Sequence, residues 1–293
     1  MVYLGILRRK AMLWLPLLAL LLPPSPQAFS SEQVDDDMPT LRVAIIPHRS
    51  SLGNEQAYGK LFKRLQQQTG LKFRWIGSKT YDDVISHLAS GTADIGYVGP
   101  FSYVDVQDNH GVRLICRTLS KKGQEFYHSM IVTRADSGIE SLDQLGGKRF
   151  TFTDPKSTSG YLFPMAQLRK TGLDKDDFAE VKFVTRHANS LMAVYRGQAD
   201  AGATSYTAID KVDIDFDQMK ILWKSEPIYR GPWIARKGLP DDQFNKLRQA
   251  MLELGQPDTT QDLFDGLTTK GFVAGSDSDY DNVREVIQLM GLN

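Results

Sequence analysis

From Leu41 onward, short apolar runs alternate with segments whose apolar residues recur at helical spacing, which restricts the chain to an α/β fold on a largely parallel sheet. Leu41–Ile46 reads as a strand, and Ala57, Leu61 and Leu65 then share a helical face that Gly70 terminates. Strands follow at Lys72–Ile76, Asp94–Val98, Val112–Thr118 and Ser129–Thr133. Val84, Ile85 and Leu88 mark a helix stopped at Gly91, and Ser141 caps a short one. The second half repeats the plan, with strands at Arg149–Thr153, Val181–Val184 and Ala199–Ala203 and helices at Ser159–Lys170 and Asn189–Arg196. Helices at Asp241–Leu254 and Asp279–Met290 end the chain, with no strand expected between them.

The pattern G-x-A-D-x-G occurs twice, at Gly91–Gly96 and Gly197–Gly202, each time closing a helix and opening a strand. The glycine supplies the left-handed stop. Such a repeat is either ordinary αβ punctuation or the trace of two similar lobes, one centred on residues 41–125 and one on 135–215.

The first thirty residues stand outside this pattern. Arg8, Arg9 and Lys10 precede an apolar run from Ala11 to Leu22, prolines follow at 23, 24 and 26, and Ala28 and Ser30 are small residues suited to cleavage after Ser30. Residues 1–30 therefore read as a secretory signal peptide, the run being well short of the roughly 20 residues that span a bilayer. Residues 31–40, with Asp35, Asp36 and Asp37, read as a flexible, solvated leader. Lys plus Arg and Asp plus Glu each number 35, so nothing in the charge favours nucleic acid as a partner. A single cysteine, Cys116, rules out an internal disulfide and a cysteine-based metal site and leaves none at the cleavage point for a lipid. A soluble periplasmic protein fits these features.

Asp154-Pro155-Lys156-Ser157-Thr158-Ser159-Gly160 lies between a strand and a helix. Free N–H groups, hydroxyls and the positive end of the helix dipole converge there, which makes it a candidate anion site. On local grounds Ser157 or Ser159 could equally be an N-cap alone. The order of a Walker P-loop is missing. Pro164, early in the helix, leaves the first turn open. His187 precedes Asn189, the expected N-cap, at the same sheet edge as Ser157; it is either an oxyanion donor or a solvated loop histidine. His48, His87, His110 and His128 show no metal-ligand spacing, so neither metal nor cofactor is expected. Hydrolase, metalloprotease and dinucleotide motifs are absent, which lowers the case for an enzyme.

These residues carry a family resemblance. Asp94–Pro100, Tyr127-His128-Ser129, the Ser157–Gly160 run, His187, Gly197–Asp200 and Trp223-Lys224-Ser225 make the chain from Leu41 to about Gly255 similar to the periplasmic phosphonate, phosphite and phosphate binding proteins of ABC transporters. The resemblance implies a type II periplasmic binding fold: two α/β lobes, each a mixed sheet flanked by helices, joined by two hinge strands near Gln124–Thr133 and Ser225–Ala235. Residues 41–127 with 231–293 would form one lobe and 128–230 the other. Ligand contacts are then expected from Tyr81, Tyr127, Ser157, Thr158, Ser159, His187 and Thr204. Relatives that hold an ammonium group do so with acidic residues; at the corresponding places this chain has Thr207 and Gly231, and Thr204 replaces an Asp that many relatives carry. If any carboxylate replaces them, Asp82, Asp83 or Asp210 is the candidate. The expected protein is a monomer that captures a small phosphorus oxyanion for an inner-membrane permease. Presentation of an oxyanion to a sensor kinase is the alternative, and an enzyme on the same fold is the less favoured one.

Overall fold

In the computed structural model, described at residues 1–2, 38–255 and 261–292, the alternation read from the sequence becomes β1 (Thr40–Ile45), α1 (Ser51–Thr69), β2 (Lys72–Ile76), α2 (Tyr81–Ala89), β3 (Ile95–Tyr97), α3 (Pro100–His110), β4 (Arg113–Ser120), β5 (Phe126–Tyr127) and β6 (Ser129–Arg134). It continues with β7 (Arg149–Phe152), α4 (Phe163–Lys170), β8 (Glu180–Phe183), α5 (His187–Tyr195), β9 (Ala201–Ser205), β10 (Met219–Lys224) and β11 (Ile228–Tyr229). Last come β12 (Pro232–Ala235), α6 (Asp241–Glu253), β13 (Thr269–Val273) and α7 (Asp281–Leu289). The expected signal peptide, and the leader as far as residue 37, lie outside the described residues. Among the described residues no helix is long and apolar enough to cross a membrane.

Two sheets share one plan. The first has the order β13-β4-β12-β3-β1-β2, with β1 parallel to both β2 and β3 and with β12 and β13 running antiparallel. In the second, β10-β6-β9-β7-β8, β7 is parallel to β8 and β9 while β6 runs antiparallel beside β9. Each is thus a parallel triplet extended by antiparallel strands. The expected hinge segments contain β5 and β11, which pair antiparallel as a two-strand ribbon, Tyr127 opposite Ile228. Fully buried Val43, Ala44 and Ile95 fill the first sheet, and Phe150, Phe152 and Ala201 the second.

The G-x-A-D-x-G repeat is structural, and it lies at the strand starts. In the first sheet Arg42 donates to Asp94 from its backbone N (2.9 Å), Nε (2.8 Å) and Nη2 (2.9 Å), and its Nη2 also reaches the Gly91 carbonyl at 2.6 Å. Arg149 makes the same four bonds to Asp200 and Gly197 in the second, at 2.8, 3.2, 2.7 and 3.0 Å. Gly91 and Gly197 both adopt left-handed backbones, φ 72° and 68°. Each arginine lies near the start of the first strand of its parallel triplet and ties it to the turn before the third.

Several elements depart from expectation. The helix α3 escaped the sequence reading because Pro100–Val104 and Val106 are all buried, which leaves no amphipathic period. A strand, β13, does lie between α6 and α7; a register shift between Thr269 and Gly271 breaks its alternation. The helix expected from Asn189 begins at His187, and Asn189 Nδ2 instead donates to the Val184 carbonyl at 2.9 Å. The turn after Ser141 is 3-10 helix with no side-chain cap.

Burial opposes the charge on Asp94, yet hydrogen bonds from Arg42 and Arg236 outweigh it and hold the carboxyl below its usual range. The Asp94 side chain is 6% exposed and that of Asp200 30%. Asp94→Asn should therefore cost about 3–5 kcal/mol, whereas Asp200→Asn should cost about 1–2 kcal/mol. A carboxyl lowered in the folded state stabilises above its unfolded pKa and loses that contribution as pH falls through the folded value. The gap between the parent and Asp94→Asn should thus narrow on acidification below about pH 4. Urea denaturation measures both effects, and equal costs for the two variants would contradict the ranking by burial.

Candidate functional site

In both sheets the loops that follow the parallel strands run to one cavity of about 50 Å³. One water takes about 10–15 Å³ on this measure, so the space is that of about four waters. Ile46 and His48 reach it from beyond β1, Tyr81 from the start of α2, and Tyr97, Gly99 and Pro100 from β3 into α3. The second sheet contributes Ser157, Thr158, Ser159, His187, Ser205, Thr207 and Lys211; Tyr127 comes from the ribbon, Arg230 and Gly231 from the link between β11 and β12, and Thr268 precedes β13. Six of the seven expected contact residues thus meet around one space.

The Ser157–Gly160 turn is shaped by its own backbone. Ser157 Oγ accepts from Gly160 N at 3.0 Å, so this serine is an N-cap as well as a cavity residue. Tyr161 N and Leu162 N both bond the Ser157 carbonyl, at 3.1 and 3.0 Å, and Phe163 N bonds that of Thr158, which widens the first turn into a π turn ahead of Pro164. At such a start the first N–H groups have no intrahelical partner; here they belong to Thr158 and Ser159. Gly160 is obligatory, because a Cβ there would lie 2.2 Å from Thr153 Oγ1.

Bonds from the first-sheet side close over this turn. Thr158 Oγ1 accepts from Phe101 N at 2.8 Å, Ser102 Oγ donates to the Lys156 carbonyl at 3.1 Å, and Lys156 Nζ pairs with Asp105 at 2.7 Å. Four helix starts meet at the cavity: α2 at Tyr81, α3 at Pro100, the π turn leading into α4 at Thr158, and α5 at His187. Each brings roughly half a positive charge. Burial raises the Tyr81 hydroxyl and lifts that of Tyr127 to about 12, against the opposing influence of Ser157 on the first and of Ser159 and Thr158 on the second. Both tyrosines remain protonated donors at neutral pH.

His187 is held as a neutral imidazole of defined tautomer. Ser205 N donates to its Nδ1 at 3.0 Å, which leaves the proton on Nε2 as a donor. Burial, followed by the nearby Lys211 charge, pushes its pKa down to about 3. Thr204 does not line the cavity: it lies behind His187, with Oγ1 donating to the His187 carbonyl at 3.0 Å. A buried hydroxyl on β9 has that carbonyl as its nearest acceptor, so Thr204 positions the histidine.

His48, Lys211 and Arg230 were not expected here. Burial, then repulsion from Lys211 and neighbouring cations, lowers His48 well below the usual imidazole range. The Lys211 ammonium falls to about 8 through burial, with Arg49 and Arg230 adding repulsion and Asp210 opposing it. Arg230 reaches Thr118 Oγ1 and the Thr268 carbonyl at 3.4 and 3.1 Å. A charged residue inside the otherwise apolar run Ile228–Trp233 was the signal that could have exposed Arg230. Among the described residues no carboxylate lines the cavity. Asp82, Asp83 and Asp210 do not reach it, and Asp83 is occupied in the capping box of α2. At Gly231 a Cβ would sit 2.1 Å from the Val98 carbonyl oxygen, so the glycine is a steric requirement.

Two αβ lobes built on the same sheet plan, joined by a two-strand ribbon and closed over a donor-lined cavity, define a type II periplasmic binding protein. The chain belongs to the family of periplasmic substrate-binding proteins of phosphonate ABC transporters, whose family model matches residues 43–280. It is 30% identical to the phosphate-import protein PhnD of Mycolicibacterium smegmatis over 290 residues, covering 91% of this chain and 89% of that one. Identity to the phosphonates-binding periplasmic protein of Escherichia coli is 23% over 266 residues, or 88% of this chain and 78% of the relative. A binding protein component of an ABC phosphonate transporter from Pseudomonas aeruginosa superposes with a TM-score of 0.78 at 25% identity, covering 85% and 86% of the two chains.

Lys211 is the cavity group that titrates near physiological pH. A bound anion raises its pKa, so affinity should be constant below the free value of about 8 and fall as pH rises through it. Both histidines stay neutral across this range and should contribute no break. Calorimetric titration with methylphosphonate between pH 7.5 and 9.5, with affinity expressed for the dianion alone, should show affinity falling, and a flat profile for the dianion would contradict the placement of Lys211.

Proposed function

We propose that this chain is exported to the periplasm and captures a small phosphorus oxyanion, a phosphonate, phosphite or phosphate, for the permease of an ABC transporter. The observation that carries the reading is the cavity lining: hydroxyls, N–H groups, neutral imidazoles and cations from both sheets, with no carboxylate among the described residues. Such a lining stabilises an anion and repels none. The names of the relatives, which speak of phosphate import and phosphonate binding, point to phosphorus as the central atom.

In this reading the amides and hydroxyls of Ser157, Thr158 and Ser159 hold the oxygens, helped by the Tyr81 and Tyr127 hydroxyls and by His187 Nε2. Thr204 acts through His187. Residues 41–127 with 231–293 and residues 128–230 are the two lobes, hinged at the β5–β11 ribbon. The bonds from Phe101 N to Thr158 Oγ1 and from Lys156 to Asp105 would then be latches of the closed state.

Ser159 offers the cleanest test, since Ser157 also caps its helix and Thr158 Oγ1 already accepts from Phe101 N. Phosphite, methylphosphonate and phosphate should raise the melting temperature by linkage. Ser159→Ala should weaken the best of them about ten- to a hundredfold, the loss of one hydrogen bond to a charged group. No stabilisation by any phosphorus anion, or an unchanged affinity in Ser159→Ala, would contradict the reading.

A further inference from the structure

The cavity lining divides into two chemically different halves. One consists of hydroxyls and helix starts: Ser157–Ser159, Tyr81, Tyr127 and the N-terminus of α5 at His187. Four helix starts together supply the equivalent of about two positive charges. The buried Asp154 carboxylate accepts from Tyr81 N at 3.4 Å and so offsets the α2 start, but the other three starts still set about one and a half positive charges against one phosphonate dianion. Lys211, Arg230 and neutral His48 make up the other half.

Those two cations are in surplus. Among the described residues neither Lys211 nor Arg230 is in an ion pair, and the carboxylate that acts on Lys211, Asp210, is exposed and outside the cavity. Arg230 is 6% exposed, and its guanidinium donates only to Thr118 Oγ1 and the Thr268 carbonyl among the described residues. Arg49, which donates to the Gly266 carbonyl, adds a third positive charge nearby. An unpaired cation out of water costs several kcal/mol, a penalty that falls in full on the buried Arg230 and in part on the half-buried Lys211. Their retention in a cavity that could serve a phosphonate without them calls for a counter-charge that arrives with the ligand.

We propose that Lys211 and Arg230 form a subsite for a second anionic group, and that the preferred ligand is a phosphonate whose substituent ends in a carboxylate. The inference rests on the reading of the cavity as a phosphorus oxyanion site. His48 lines the same half as a neutral imidazole with one N–H to donate to a carboxylate oxygen. No acidic side chain stands on this side of the cavity: Thr207 is neutral, Gly231 has no room for a side chain, and Lys211 stands four residues beyond Thr207. The space of about four waters must hold the phosphonate group as well, so the substituent has to be short.

Calorimetry with phosphonoacetate, ethylphosphonate and 2-aminoethylphosphonate at pH 7.5 tests the proposal. Phosphonoacetate should bind at least about tenfold more tightly than ethylphosphonate, the size of effect that close charge pairs produce, and 2-aminoethylphosphonate more weakly than either. In Lys211→Met the ratio of phosphonoacetate to ethylphosphonate affinity should shrink to within about threefold, and Lys211→Arg should restore it. Melting of the unliganded variants checks that both fold. Equal affinities in the parent, a preference for the amine, or a ratio that survives Lys211→Met overturns the subsite while leaving the oxyanion site intact. Binding of none of the three compounds overturns both.

Discussion

The first N–H groups of a helix have no partner within it, and this protein gathers four such starts around one small space. That arrangement follows from topology. In a parallel βα unit the chain leaves the strand at its C-terminal edge and enters the next helix there, so the N-termini of the helices gather at one edge of the sheet. Two such sheets, joined by a short ribbon, bring two sets of helix starts to one cavity. The side chains then refine a field the backbone already provides: three hydroxyls in a row, two tyrosines kept protonated by burial, and an imidazole whose tautomer is fixed by Ser205 N.

The opposite edge of each sheet carries the stabilising electrostatics. Asp94 and Asp200 occupy equivalent places before β3 and β9, each bound to the arginine near the start of the neighbouring strand and each following a left-handed glycine. Structure and ligand chemistry are thus separated by the length of a strand. The cost is concentrated at the cavity, where Lys211, Arg230 and Arg49 repel one another in the absence of a counter-ion. An anion relieves that repulsion, which makes the charge arrangement itself a source of affinity.

Much of this was legible in the sequence where local pattern and structure coincide. The parallel triplets followed from the alternation of runs, though the sheets are mixed rather than largely parallel, with five antiparallel pairings against four parallel ones. The S-T-S-G turn followed from its strand-to-helix position and the repeated sheet plan from G-x-A-D-x-G, whose aspartates are braces at the strand starts. What escaped notice depends on burial or on tertiary placement. The helix α3 is buried on every face of its first turns, so periodicity could not reveal it. Lys211 looks like an ordinary surface charge until the fold brings it to the cavity, Arg230 betrays itself only by interrupting an apolar run, and His48 showed no spacing that metal logic rewards. Thr204 was placed by family position, and only the hydrogen bond to the His187 carbonyl separates a positioning residue from a contact.

The central claim is that a phosphorus oxyanion lies against the open helix start at Ser157–Ser159 and is enclosed from both sheets. A crystal structure of the methylphosphonate complex tests it most directly. The account predicts phosphonate oxygens within hydrogen-bond distance, about 2.6–3.1 Å, of the Thr158 and Ser159 N–H groups, the Ser157–Ser159 hydroxyls and His187 Nε2. A ligand bound away from that turn, or held by Lys211 and Arg230 alone, would contradict it.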